Sequence, residues 1–118
     1  MAQITATPAR IAAMYEMLRT LPPFNRWKLP LAAEVKFNVT RAKDTYGIQQ
    51  RVLTQHRIWV TRRISLLKFI ETVAHEMCHI HEDSLGTQYS NGKYRHTKEF
   101  KNGAEQVCKK LGFNPETF

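Results

Sequence analysis

The sequence predicts an α+β domain: an N-terminal helix, a small three-stranded antiparallel sheet, a long helix and a C-terminal helix. Three observations carry that reading. Apolar residues recur at helical spacing in the first and third of these segments and alternate in the second. A capping hydroxyl stands where the first and third segments begin their helical runs. Proline or glycine stands where each helical run stops. The 118 residues suffice for one core without staples, and no repeat, low-complexity tract or linker interrupts them, so residues 1–118 read as a single domain.

The first helix starts cleanly. Thr7 can cap it, and Pro8 suits the first helical position, where a missing N–H costs nothing. Ile11, Met14, Tyr15 and Leu18 then share a face until Pro22-Pro23 stops the run. From Glu34 to Val39, Val35, Phe37 and Val39 alternate with polar residues, as in a half-buried strand. "YGIQQRV" (Tyr46 to Val52) alternates Tyr46, Ile48 and Val52, and "RIWVT" (Arg57 to Thr61) is β-branched and aromatic, with "LTQH" as a hairpin connection. Ser65 can cap a helix from Leu66 to about Asp83, ended by Gly86. Its apolar stripe is Leu66, Ile70, Val73, Met77 and Ile80. The last helix, from about Thr97 to Leu111, ends at Gly112.

Bulk composition narrows the function classes. No stretch approaches the roughly 20 apolar residues that cross a bilayer. The start, "MAQITATPARIAAMYEM", lacks the apolar run of a secretory signal, so a cytoplasmic location is expected, with no membrane partner. Cys78 and Cys108 form no CxxC pair and read as buried thiols rather than a disulfide framework or zinc ribbon. The formal charge of +8 is the informative property. Basic residues cluster at Arg41, Lys43, Arg51, Arg57, Arg62, Arg63 and Lys68 with one acid, Asp44, and again from Lys93 to Lys110. Such a field attracts polyanions, which makes the first six of these candidate DNA contacts; the plainer reading is a solvated basic surface.

The motif that carries chemistry lies in the third segment, "AHEMCHIHED" (residues 74 to 83). His75, Glu76 and His79 spell H-E-x-x-H. Residues i and i+4 share one helix face, so two imidazoles can grip one ion, and Glu76 sits where its carboxylate can reach a water beside that ion as general base. Glu71, Glu82 and Asp83 are available to orient the imidazoles. A catalytic zinc needs a third protein ligand. His81 lies about 200° round the helix from the pair and reads as a surface histidine. Glu82 reads better as an orienting group. His96 and Glu99, across the loop, both remain candidates: one gives a His₃ site, the other His₂Glu.

"TVAHEMCHIHED" followed by "YRHTKEFKNGAEQVCKKLGF" resembles the SprT-like zinc metalloprotease domain, the catalytic domain of the Spartan DNA–protein crosslink proteases. In that family H-E-M-x-H is followed by a segment of the form G-H-G-x-E-F/W, and His96, Glu99 and Phe100 match its histidine, acid and aromatic. The resemblance runs from about Glu34 to Phe113. It implies a zincin-like fold, zinc held by His75, His79 and His96, catalysis by Glu76, and Glu99 as a helix-start residue. Arg95 and Thr97 replace the family's flanking glycines. The family's zinc ribbon and Spartan's recruiting tails have no counterpart here, so the expectation is a minimal form of the bacterial and viral type.

That resemblance implies a zinc-dependent endopeptidase acting on DNA-associated or DNA-crosslinked proteins, with DNA, single-stranded included, as a platform. Two rivals stand beside it: a processing peptidase without DNA dependence, and a non-catalytic zinc module that binds nucleic acid. Tyr89 and Tyr94 are candidates for oxyanion support, though loop tyrosines more often pack or touch substrate. Trp27 and Trp59 are candidates for base stacking, with Trp59 more naturally placed in the core.

Overall fold

The structure, a computed structural model, describes residues 3–42, 44–85 and 97–118. A short strand β1 (Gln3–Thr5) precedes α1 (Pro8–Arg19). Two 3₁₀ turns, Phe24–Arg26 and Ala32–Glu34, lead into β2 (Val35–Thr40). Strands β3 (Gly47–Val52), β4 (Gln55–Thr61) and β5 (Arg63–Ser65) follow, then α2 (Leu66–Ser84) and α3 (Lys98–Leu111).

Local chemistry sets the helix ends. Thr7 Oγ1 accepts from the Arg10 N–H at 3.1 Å, and Ser65 Oγ accepts from the Lys68 N–H at 3.2 Å. Thr97 caps α3 through the Phe100 N–H, and Gly112, at φ 79°, closes it in the left-handed conformation that favours glycine.

The sheet is mixed, which corrects the antiparallel expectation. Strand order is β2-β4-β3; β3 pairs β4 antiparallel through the two-residue turn Leu53-Thr54, whereas β2 pairs β4 in parallel. Alternation tells which side chains share a face, but not the direction of a neighbour. A second, two-stranded sheet joins β1 to β5, tying the chain start to the segment that launches α2.

One face of the sheet meets the helices. Ile58 and Val60 of β4 are fully buried there, with Ile11 and Tyr15 of α1, Val73 and Met77 of α2, and Val107 of α3. Tyr15 anchors α1 by donating its hydroxyl to the Pro30 carbonyl at 2.7 Å, and its burial raises its pKa well above the usual tyrosine value. In α2 the predicted stripe holds from Val73 onward. Its first turn differs: Leu66 is half exposed and Phe69 takes the core position.

Two strand expectations reverse. Of the apolar set, Ile48 and Val52 face outward and Tyr46 is exposed just before β3, while Gln49, paired with Ile58, lies buried on the core side. Trp59 stands on the outer face too, half-buried beside Ile48 and Asn38 rather than in the core. Among the described residues, no helix is long and apolar enough to cross a membrane.

Candidate metal centre

His75 and His79 project from one face of α2, one turn apart, with ring centroids 5.1 Å apart and the planes inclined at 69°. Phe100 of α3 packs over both, at 5.0 Å from His75 and, stacked, at 4.3 Å from His79. Phe118 closes on His75 from the other side at 5.4 Å. This apolar cover lowers the local dielectric, which strengthens ion–ligand attraction.

His79 is oriented from behind. Its Nδ1 lies 2.9 Å from Oε1 of Glu82, a residue with no solvent exposure. A carboxylate only accepts, so Nδ1 carries the proton and the lone pair sits on Nε2, the tautomer a metal ligand needs. Oε2 of Glu82 takes both the N–H (3.2 Å) and the hydroxyl of Thr97, so one carboxylate joins the end of α2 to the start of α3.

Glu76 is buried at 5% exposure, and Gly47 of the edge strand β3 is why it fits. A Cβ on residue 47 would meet Thr72 Cγ2 at 2.5 Å and Glu76 Oε2 at 3.1 Å. Below Gly47, Gln49 donates to Asp83 Oδ2 at 2.9 Å and lies 3.1 Å from His56 Nδ1, pinning the edge strand to α2. A cleft of about 270 Å³ opens beside these groups. Thr45, Tyr46, Gly47, Glu71, His75 and Glu76 line it. Lys68, also on its wall, lies over the Tyr46 ring and donates to the Thr117 carbonyl.

His75 and Glu76 therefore line one cleft, His79 stands one turn from His75, and Glu82 is hydrogen-bonded to His79. Asp83 instead serves Gln49. Glu71 lies on the cleft wall with Oε2 buried and without a hydrogen-bond partner among the described residues. Glu99 sits in the first turn of α3. His96, Tyr89, Tyr94 and Lys43 lie outside the described residues. Among the described residues no three His, Cys, Asp or Glu form a metal cage. The pair His75–His79, backed by Glu82 on Nδ1, nevertheless fits the donor chemistry of zinc with one ligand still to come.

His81 turns away from the pair but is not a surface residue. It stacks on Trp27 at 4.0 Å with the rings 7° from parallel, over Gly103, and burial lowers its pKa. Trp27 is thereby occupied in packing. The Cys78 thiol is buried and held well above its ordinary pKa by desolvation, as an inert core thiol should be.

The five described basic candidates do not converge on one patch. Arg41, Arg62 and Arg63 surround a recess beside Tyr46, and Arg57 lies on the outer sheet face next to Lys36. Arg51 is exposed near the hairpin turn. Sequence reading missed Gly47, Gln49 and the Thr97–Glu82 contact. Only Gly47 carried a usable signal, since an isolated glycine in a strand marks close approach.

A model of the SprT-like family matches residues 15–118, nearly the whole chain. No curated protein and no solved structure matches it.

Proposed function

Because the chain belongs to the SprT-like family, we propose that it is a zinc-dependent endopeptidase with Glu76 as general base and His75, His79 and His96 as ligands. The observation that carries this reading is the placement of His75 and Glu76 on the cleft wall with the His79 ring 5.1 Å from His75, and Glu82 fixing the His79 tautomer. Zinc held there supplies a Lewis acid for the scissile carbonyl and for the attacking water.

The chain's own residues do the rest. Glu76, desolvated against Gly47 and Thr72, accepts a proton from the water as its oxygen bonds to the carbonyl carbon. It then delivers that proton to the amide nitrogen as the C–N bond breaks, which lets the amine leave neutral. Phe100 and Phe118 keep bulk water from the imidazoles.

We further propose that the substrates are proteins bound or crosslinked to DNA, single-stranded DNA included. The charge of +8 supports this, as does an outer sheet face with Trp59 between Lys36 and Arg57 on one side and Thr61 on the other. The test is cleavage of an unstructured protein by the zinc-loaded chain, with and without single-stranded DNA. Cleavage that a chelator stops and DNA accelerates is the expected result. Unaccelerated cleavage would point to a processing peptidase, and absence of cleavage to a non-catalytic zinc module.

A further inference from the structure

A recess of about 720 Å³ adjoins the cleft, lined by Arg41, Arg62 and Arg63 with Thr45, Tyr46 and Thr61. Arg41 comes from just beyond β2, and Arg62 and Arg63 from the junction of β4 and β5. The Arg62 N–H donates to the Thr40 carbonyl at 3.0 Å and holds the two segments together. Among the described residues, no carboxylate pairs with any of the three guanidinium groups, and Asp44 is the one acid on the wall. Three like charges gathered without partners form a site for an anion, and a guanidinium fork matches a carboxylate in two-point geometry.

Position says which anion. Thr45 and Tyr46 line both the recess and the catalytic cleft. Among the described residues, β3 is an edge strand with one side unpaired in its sheet, so an extended peptide can lie along it. Such a peptide passes Gly47, the residue against Glu76, and then Tyr46 and Thr45 into the recess. At about 3.3 Å per residue, the side chain that enters the recess lies within about two to three residues of the scissile bond. A wall on which Asp44 stands among the arginines suits one carboxylate better than a run of successive phosphates, more of which that acid would repel.

We propose that this recess is a substrate side-chain subsite that selects aspartate or glutamate at one fixed position near the cleaved bond. The proposal rests on the peptidase reading, and its test separates the two. A single Glu is walked along an otherwise neutral fluorogenic peptide and compared at each position with Gln, in two measurements. One is kcat/KM with the zinc-loaded protein; the other is binding to zinc-loaded Glu76→Gln by fluorescence anisotropy, which needs no turnover. The expected result is one position where Glu is preferred tenfold or more in both. That preference should fall toward unity in Arg62→Gln with Arg63→Gln, and recover in part with lysine at both. Position-dependent binding without turnover would sustain the subsite and sink the peptidase reading. Equal binding of Glu and Gln at every position overturns the subsite. So does loss of oligothymidine binding in the arginine variants with the peptide preference intact, which would give the recess to nucleic acid.

Discussion

Glu82 holds His79 through a 2.9 Å hydrogen bond to Nδ1 while its other oxygen takes Thr97, the residue that caps α3. A charged group with no solvent exposure is costly unless its oxygens are satisfied, and here both are. Glu82→Gln keeps the volume but removes the charge that raises His79 basicity. Zinc affinity, measured by chelator competition, should fall about 10- to 100-fold. An unchanged affinity would remove Glu82 from the site.

Gly47 gives a second handle. In Gly47→Ala the added methyl meets Thr72 and Glu76, and either those side chains turn or the edge strand shifts from α2 to relieve it. Overpacking of this kind costs about 1–3 kcal/mol. Because the strain falls on the general base, kcat should drop at least tenfold at temperatures where circular dichroism still reports a folded protein. Full activity would show that Glu76 does not depend on this packing.

A contrast far from the site separates fold from function. Tyr15→Phe deletes the donor to Pro30 and leaves a buried ring in place. Urea denaturation should show a loss of about 1 kcal/mol, with zinc affinity unaltered. A change in zinc affinity would mean that α1 and the metal centre are coupled in a way the packing does not reveal.

The outer sheet face carries the DNA reading. Trp59→Ala should weaken single-stranded DNA binding by about 1–3 kcal/mol, and binding should fall steeply with added salt. Fluorescence titrations at two salt concentrations check both, and salt-independent binding would count against phosphate contacts.

What the sequence disclosed was local chemistry. Thr7, Ser65 and Gly112 mark helix ends because capping involves groups a few residues apart, and His75, His79 and Glu82 share a face by helical spacing alone. Features that depend on distant partners were hidden. The parallel β2–β4 pair, the β1–β5 ribbon and the Trp27–His81 stack are each fixed by residues far apart in the chain. The outward turn of Ile48 and Trp59 follows from the same cause. Gln49 is satisfied on the core side in part by Asp83, thirty-four residues on, which accepts its hydrogen bond.

Cleavage of an unstructured protein by Glu76→Gln, with zinc content determined on the same sample, tests the central claim most directly. The account predicts zinc equal to wild type and a rate lower by about 10²- to 10⁴-fold, because only the proton acceptor is gone. A Glu76→Gln protein that holds zinc and cleaves at the wild-type rate would contradict it.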